Sequence, residues 1–398
     1  MGKEIELSTA ITDIAAGPFG SNLKVECFVP SGFPIIDGAN LKGYKVTDNI
    51  TKFVTEEKAR SLSRSIAHRG DVIVTISGTI GQIAYIPEDS LYDEYLCSQR
   101  QFRVSFDSSM VYVPYLVFYF HTFEGQNKIL SFANQTGVPA LSQPLKNFKK
   151  IRLCLPSLQE QRRIASIVET INDKIENNIK INDNLYAQAK AIFDNHFINI
   201  DAIPAGWRKG NLLDIANYLN GLAMQKFRPQ GNEIGLPVLK IKELRQGSCD
   251  DSSELCSLRI KPEYIIHDGD VIFSWSGSLL VDIWCGGTCG LNQHLFKVTS
   301  DIYDKWFYYL WTAHHLARFI AIAADKATTM GHIKREELAK AEVLIPCEDD
   351  YTSLTSIMQP IFELIISNRI EARKLAALRD ELLPKLMSGE IDVSAIQL

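Results

Sequence analysis

The sequence predicts an α+β protein in which two similar globular domains alternate along the chain with two long helices, packed together as an antiparallel coiled coil. Three observations lead to this prediction. The chain repeats itself at a distance of 190 residues, each copy ends in a segment with helical periodicity, and each copy contains short β-branched runs bounded by glycine. A period this long indicates duplicated domains, because solenoid repeats are only about 20–50 residues long.

The repeat is clearest at the C-terminal end of each copy. Leu155-Pro156 corresponds to Ile345-Pro346, and the same offset superposes Asn178 on Asn368 without a gap. Upstream, Gly70-Asp71-Val72-Ile73 corresponds to Gly269-Asp270-Val271-Ile272, and Phe33-Pro34-Ile35-Ile36 corresponds to Leu236-Pro237-Val238-Leu239. We therefore expect a first domain at residues 1–155, a first helix at 156–198, a second domain at 199–346 and a second helix at 347–398.

The first helical segment has a defined start and a broad apolar stripe. Ser157 followed by Glu160 forms the pattern of a capping box, which satisfies two backbone donors at a helix start. Apolar residues then recur at alternating spacings of three and four from Ile164 to Ile192, as in the seam of a coiled coil. The stripe is wider than a two-stranded seam requires, so more than one neighbour is expected to pack on it. A helix over residues 157–196 would be about 60 Å long.

The second segment repeats the pattern from Ile361 to Leu382. Pro360 predicts a kink or a fresh helix start, because an interior proline removes a hydrogen bond and costs about 3 kcal/mol. Pro384 and Gly389 predict an end near residues 385–388. Asn178 and Asn182 interrupt the apolar seam, and Asn368 could pair with one of them, since polar seam residues fix helix register.

Two interpretations of the helices remain. They could be ordinary core helices, although segments of about 30–40 residues exceed the usual helix length. Antiparallel packing would instead set the globular domains at opposite ends of one rod, which is the geometry of a spacer.

The sequence of each globular half predicts short strands followed by polar loops. Residues 71–76 and 270–275 are β-branched runs, and each is followed by a Ser-Gly loop, at Ser77-Gly78 and Ser276-Gly277. A polar stretch beginning Ser98-Gln99 or Asn292-Gln293 comes next in each copy. Aromatic helical segments follow at 114–123 and 305–320. We expect each domain to contain a strongly curved sheet with one or two helices.

Composition limits the function without defining it. Hydrophobic residues make up 46% and charged residues 22% of the chain, which is typical of a soluble globular protein. The net charge of −5 argues against a simple nucleic-acid binder, so a nucleic-acid surface would need local clusters such as Lys42, Lys45 and Lys52. The N-terminus lacks a secretory signal, no segment approaches the ~20 apolar residues that span a bilayer, and a cytoplasmic protein is expected.

No catalytic or metal-binding pattern is recognisable. The sequence lacks phosphate-binding G-x-x-x-x-G-K-[ST] and dinucleotide-binding G-x-G-x-x-G motifs, the Asn/Asp-Pro-Pro-aromatic run of adenine methyltransferases, and H-E-x-x-H. The eight cysteines are not spaced as zinc ligands, and we expect neither a metal nor a disulfide. The histidines at 294, 314 and 315 lack spaced partners that would suggest a catalytic triad. The chain is therefore expected not to be an enzyme.

Two segments at the helices carry a resemblance to a known family. Residues 155–164 read Leu-Pro-Ser-Leu-Gln-Glu-Gln-Arg-Arg-Ile, and residues 378–391 read Leu-Arg-Asp-Glu-Leu-Leu-Pro-Lys-Leu-Met-Ser-Gly-Glu-Ile. They resemble the central and C-terminal conserved regions of the specificity subunit of type I restriction–modification enzymes. The Gly-Asp-Val-Ile strands with their Ser-Gly loops resemble that family's target-recognition domains, so the resemblance spans essentially the whole chain.

The resemblance implies a function and a set of partners. Each target-recognition domain would read a few base pairs of double-stranded DNA in the major groove, and the helices would set the distance between the two half-sites. The target would be bipartite and asymmetric, because the two domains differ. The partners would be two methyltransferase subunits, which bind S-adenosylmethionine and methylate adenine at N6, and motor-nuclease subunits that use ATP. The chain itself would carry no cofactor.

Candidate DNA contacts are polar residues at corresponding places in the two copies, since short donors and acceptors beside lysine and arginine read base edges and phosphates. They are not a motif taken from the family. In the first domain they are Asn40, Lys42, Ser77, Thr79, Gln82, Gln99 and Arg100, and in the second Lys240, Lys242, Ser274, Ser276, Asn292, Gln293 and His294. A Ser-Gly loop alone is usually a plain turn. The alternative function is a coiled-coil scaffold that carries two ligand-binding or protein-binding modules and has no role on DNA.

Overall fold

The computed structural model describes residues 2–134, 138–325 and 333–395. The chain forms two compact units. The first comprises residues 1–171 and 377–398, and the second comprises residues 172–376. Each unit is described separately below.

The first unit is built from short strands and four short helices that precede a long one. Its strands are β1 (Lys3–Glu6), β2 (Ile11–Ala16), β3 (Phe28–Val29), β4 (Phe33–Ile36), β5 (Phe53–Val54), β6 (Ile66–His68), β7 (Val72–Thr75), β8 (Ile83–Tyr85), β9 (Glu94–Cys97), β10 (Gln101–Phe106) and β11 (Arg152–Leu155). Its helices are α1 (Glu56–Arg60), α2 (Val113–Phe120), α3 (Phe123–Leu130), α4 (Pro144–Lys149) and the start of the long helix α5 (Leu158–Phe193).

The strands of the first unit form separate sheets. Four strands lie in the order β2-β10-β7-β8, five lie in the order β3-β5-β4-β9-β6, and β1 pairs with β11. The prediction of one strongly curved sheet per domain is therefore wrong in this detail. The strands of the first unit are only two to six residues long, and irregular segments divide them among several sheets. Residues 114–120 of α2 are all buried, which confirms that the aromatic segment is a core helix.

The second unit repeats this construction. Its strands are β12 (Arg208–Asn211), β13 (Asn217–Asn220), β14 (Leu236–Leu239), β15 (Leu255–Cys256), β16 (Ile265–Ile266), β17 (Val271–Ser274), β18 (Leu280–Ile283), β19 (Cys289–Leu291), β20 (Leu295–Thr299) and β21 (Glu342–Ile345). Its helices are α6 (Leu212–Ile215), α7 (Ile241–Gln246), α8 (Lys305–His314), α9 (Leu316–Asp325), α10 (Arg335–Ala339) and most of the long helix α11 (Glu348–Ser388).

The two units share strand order and register. The sheet β13-β20-β17-β18 repeats β2-β10-β7-β8, and β15-β14-β19-β16 repeats β5-β4-β9-β6. Phe102 lies opposite Val74, and Phe296 lies opposite Phe273 at the matching place. The duplication predicted from the sequence is thus present in the folds of the two units.

The start of α5 and the end of α11 follow local chemistry. The backbone N–H of Ser157 donates to Glu160 Oε2 at 2.9 Å and that of Glu160 donates to Ser157 Oγ at 3.3 Å, so the predicted capping box is confirmed. A π-helical turn at Asp194–Ile198 extends α5. Helix α11 ends at Ser388, and Gly389 follows with a φ of +78°, as a left-handed helix terminator does.

Pro360 does not interrupt α11, so the prediction of a fresh helix start there is wrong. The helix runs from Glu348 to Ser388 through the proline. Met358 and Phe362, on either side of it, are 0% and 2% exposed in the core of the second unit. Burial of two large side chains contributes about 3–6 kcal/mol, which outweighs the proline penalty.

The two long helices pack antiparallel. In the second unit, Asn178 Nδ2 donates to Glu371 Oε2 at 2.7 Å, and Asn182 Nδ2 donates to the backbone oxygen of Ile365 at 3.2 Å. Rising residue numbers on α5 therefore meet falling numbers on α11. Asn368 Nδ2 donates to Asn182 Oδ1 at 3.0 Å, which confirms the predicted pairing of seam asparagines. No helix in the described part of the chain is both long and apolar enough to cross a membrane.

Candidate nucleic-acid interface

Three loops of the first unit come together, although the strands before them belong to two different sheets. They are residues 37–40 after β4, residues 76–82 after β7, and residues 98–100 between β9 and β10. Gln82 Nε2 donates to the backbone oxygen of Gly38 at 3.1 Å, and the N–H of Ser98 donates to the backbone oxygen of Ile36 at 3.0 Å. The loops surround an open cleft of about 700 Å³.

Most of the candidate residues of the first domain line this cleft. Those that do are Ser77, Thr79, Gln82, Gln99 and Arg100. Two candidates lie elsewhere. Lys42 is exposed outside the cleft lining. Asn40 is 4% exposed, and its Nδ2 donates to the backbone oxygens of Thr47 at 3.2 Å and Asn49 at 3.1 Å. Asn40 therefore stabilises the loop from within.

Other polar residues in the cleft lining were not selected from the sequence. They are Asp37, Lys52, Thr75, Ser98 and Gln101. Lys52 belonged to a basic cluster recognisable in the sequence, whereas Asp37 gave no comparable signal. Burial opposes ionisation of Asp37, but hydrogen bonds from Lys52 Nζ at 2.7 Å and the Ala39 N–H at 2.9 Å outweigh it and lower its pKa. The cleft therefore contains a fixed carboxylate beside an ammonium.

A fourth loop rests against the turn at residues 98–100. The N–H of Gly17 donates to the backbone oxygen of Gln101 at 2.8 Å, and Gln99 Nε2 donates to the backbone oxygen of Gly20 at 3.4 Å. A Cβ on Gly17 would lie 1.9 Å from the backbone oxygen of Ser98, so only glycine fits there. This close approach holds the turn in place behind the cleft.

The second unit places the same backbone framework around different side chains. The N–H of Asn292 donates to the backbone oxygen of Leu239 at 3.2 Å, as that of Ser98 does to Ile36. A Cβ on Gly221 would lie 2.2 Å from the backbone oxygen of Asn292, as for Gly17 and Ser98. The turn at residues 292–294 is therefore equivalent to the turn at residues 98–100.

Several candidates of the second domain gather at this turn. Ser276 Oγ lies 2.9 Å from His294 Nδ1, and Gln293 Nε2 lies 3.4 Å from His294 Nε2. Ser274, Ser276 and Asn292 are at most 4% exposed. Ser274 Oγ donates to the backbone oxygen of Ser278 at 2.9 Å, so this buried hydroxyl stabilises the Ser-Gly loop.

The two candidate lysines of the second domain lie where helix α7 begins. Lys240 is the residue before the helix, and its ammonium forms an ion pair with Glu254. Lys242 Nζ lies 3.4 Å from Asp250 Oδ2. Both lysines therefore already have a carboxylate partner within the unit.

The two turns differ most in aromatic character. Trp275 follows β17 at the place that Ile76 occupies after β7, and its ring centroid lies 6.2 Å from that of His294. Trp275 Nε1 donates to Asn220 Oδ1 at 2.9 Å. The first unit presents arginine, glutamine and hydroxyl groups, whereas the second presents histidine, glutamine and an indole. Within the described ranges, no group of three or more His, Cys, Asp or Glu residues is arranged to hold a metal ion.

One fold that is built twice and carries two different polar surfaces defines a duplicated recognition protein. Residues 29–186 and 204–377 each match the family model of the type I restriction modification DNA specificity domain. The matches cover most of the chain, and the protein belongs to this family.

Individual relatives agree with this membership. The chain is 25% identical over 413 residues to the type I restriction enzyme MjaIX specificity subunit of Methanocaldococcus jannaschii, covering 97% of this chain and 93% of the relative. It is 18% identical to the HindI specificity subunit of Haemophilus influenzae, covering 78% and 84%. The crystal structure of the S subunit from M. genitalium shares the fold with a TM-score of 0.57 at 13% identity, covering 96% of this chain and 95% of that one.

Proposed function

We propose that this chain is the DNA sequence-specificity subunit of a type I restriction–modification complex. Each globular domain reads one half of a bipartite, asymmetric target in the major groove. The domains are residues 1–155 and 199–346, and the helical regions are residues 156–198 and 347–398. The chain provides recognition without catalysis, while S-adenosylmethionine and ATP bind to partner subunits in the cytoplasm.

One observation carries the proposal. The same loop framework occurs in both units, because Gly17 lies against the turn at residues 98–100 as Gly221 lies against the turn at residues 292–294. The exposed side chains on the two turns nevertheless differ. A duplicated enzyme in which both copies catalyse one reaction would keep the same catalytic groups in both. Two different polar surfaces on one framework suit a protein that reads two different base sequences.

The candidate residues take two kinds of role in this proposal. Exposed or half-buried side chains contact DNA directly, and Arg100 is the strongest of them, since arginine binds guanine O6 and N7 in the major groove. The direct contacts are Lys42, Ser77, Thr79, Gln82, Gln99, Arg100, Lys240, Lys242, Gln293 and His294. The buried candidates hold the loops that carry them. These are Asn40, Ser274, Ser276 and Asn292.

The long helices are proposed to set the half-site spacing and to dock two methyltransferase subunits, which motor-nuclease subunits then join. Large apolar side chains remain exposed on them: Ile179 is 53% exposed on α5, and Ile357 is 50% exposed on α11. Ile179 also lines a groove of about 310 Å³ with Tyr186 and Phe362. Half-sites about 34 Å apart would present the same groove to both domains.

The test is genome-wide mapping of N6-methyladenine, with and without this chain, in cells that keep the methyltransferase subunit of the same system. We expect a bipartite, asymmetric motif that disappears when the chain is deleted. Unchanged methylation, with both proteins shown to be expressed, would contradict the proposal and favour the scaffold function.

A further inference from the structure

Each unit contains an ion pair at the same place in its fold, but the positive and the negative residue have changed places between the two units. In the first unit Lys52 Nζ donates to Asp37 Oδ2 at 2.7 Å. In the second unit Lys240 Nζ donates to Glu254. Lys52 and Glu254 come directly before β5 and β15, and we call theirs the strand-side position. Asp37 and Lys240 come directly after β4 and β14, and we call theirs the loop-side position. The lysine therefore occupies the strand-side position in the first unit and the loop-side position in the second.

Strand register establishes that the strand-side positions correspond. Pro34 pairs with Phe53 in the first unit, and Pro237 pairs with Leu255 in the second. Lys52 and Glu254 are the residues immediately before these partners. The backbone oxygen of Lys52 accepts from the Ile35 N–H at 3.0 Å, and that of Glu254 accepts from the Val238 N–H at 2.7 Å. Lys52 and Glu254 thus occupy the same place in the two folds.

The loop-side positions correspond as well. Asp37 and Lys240 each follow the strand directly and precede a helical turn. The N–H of Asp37 donates to Asn40 Oδ1 at 3.0 Å, and the N–H of Lys240 donates to Glu243 Oε2 at 3.2 Å. The pair is therefore one structural feature with its polarity reversed.

In both pairs the ammonium still has unused donors, and donors are what the acceptors of a guanine edge require. The two oxygens of Asp37 are taken by Lys52 and by the Ala39 N–H, and its side chain is 22% exposed. The two oxygens of Glu254 are taken by Lys240 and by Arg228 Nη2. A lysine ammonium has three donors, of which one carboxylate bond uses only one. Lys52 is 47% exposed and lines the same cleft as Arg100.

We propose, on the basis of the proposed function, that the ammonium of this pair reads guanine, through Lys52 in the first domain and Lys240 in the second. Guanine presents two acceptors, O6 and N7, in the major groove, and lysine is one of their usual partners. The carboxylate holds the ammonium in one direction. Because the lysine is attached at different points, the guanine lies at different positions in the two half-sites.

The experiment uses the full chain expressed with the methyltransferase subunit of the same system. The central variant is the double exchange Asp37→Lys with Lys52→Glu, which keeps an ion pair while moving the ammonium to the loop-side position. The second variant is Lys52→Gln. The control is Lys149→Gln, which changes an exposed lysine of α4 outside the cleft lining. The readouts are the N6-methyladenine motif and the urea midpoint of the purified chain.

Lys52→Gln is expected to relax one guanine position in one half of the motif by roughly five- to hundredfold, and the control is expected to change nothing. The double exchange should abolish the same guanine requirement, while the urea midpoint falls only slightly, because Asp37→Lys also removes the acceptor of the Ala39 N–H.

Three results would overturn the inference. If the double exchange left the motif unchanged, the ion pair would have only a structural role and would not read a base. If Lys52→Gln lowered methylation equally at every site, Lys52 would be a phosphate contact. A half-site without guanine would exclude the assignment outright. If the double exchange fails to fold, Lys52→Gln decides alone. Absence of any motif with the wild-type chain would instead contradict the proposed function.

Discussion

Asn178 and Asn368, which occupy the same position in the two copies of the repeat, contact each other. Asn178 Nδ2 lies 3.4 Å from the backbone oxygen of Asn368, to which it donates a hydrogen bond. Both residues are buried, with 1% and 9% of their surface exposed. When equivalent residues of two antiparallel helices meet, a local twofold axis passes between them. The asparagines therefore mark the register at which α5 and α11 pack in the second unit.

Replacing Asn368 is expected to destabilise this register. Asn368→Ala would remove the donor to Asn182 Oδ1 and leave that oxygen unpaired in a partly buried seam. The free energy of unfolding should fall by about 1–3 kcal/mol, measured by urea denaturation. Asn177→Ala is the matched control, because Asn177 is exposed on α5 and should change stability by less than about 0.5 kcal/mol. Equal effects of the two variants would contradict a structural role for the seam asparagine.

Acid should weaken an ion pair that fixes α11 to the second globular domain. Arg373 Nη1 and Nη2 donate to Asp268 at 2.7 and 2.8 Å. Burial raises the pKa of Asp268, but the bonds from Arg373 and the Gly287 N–H outweigh burial and lower it below its ordinary value. A lowered folded pKa stabilises the fold above the unfolded pKa of roughly 3.9, and this contribution is lost as the pH falls through the folded pKa.

Asp268→Asn should therefore lower the free energy of unfolding by about 1–3 kcal/mol at pH 7, and the difference from the wild type should shrink below about pH 4. Urea midpoints at a series of pH values measure both effects. Asp301→Asn, which changes an exposed carboxylate, serves as the control. A difference that stays constant down to pH 3 would show that the charge of Asp268 is not responsible.

The sequence was informative where local chemistry or the repeat determines the structure. The capping box at Ser157, the helix end before Gly389 and the pairing of Asn182 with Asn368 were all predictable. The continuity of α11 through Pro360 was not, because core packing of Met358 and Phe362 is a tertiary effect that outweighs local propensity. In the cleft, Asp37 was missed because its proximity to Arg100 depends on β4 lying parallel to β9, a pairing that no short motif encodes.

Two glycines should be equally intolerant of a side chain. A Cβ at Gly17 would meet the Ser98 oxygen at 1.9 Å, and one at Gly221 would meet the Asn292 oxygen at 2.2 Å. Gly17→Ala and Gly221→Ala should each lower stability by about 1–3 kcal/mol, as overpacking does. Gly43→Ala is the control, since nothing lies within 4 Å of its added Cβ. Thermal unfolding measures the effect, and a tolerated alanine at either position would show that the turn behind it can move.

Arg100 and His294, at matching places in the two turns, should control different halves of the target. Arg100→Ala is expected to relax one base position in one half of the methylated motif by about 1–3 kcal/mol of discrimination, and His294→Ala one position in the other half. Mapping of N6-methyladenine in cells that express each variant measures both motifs. Arg152→Ala, at an exposed arginine of β11 outside the cleft lining, should leave the motif unchanged. If both variants altered the same half, the two units could not be independent readers, because each turn belongs to a separate globular domain.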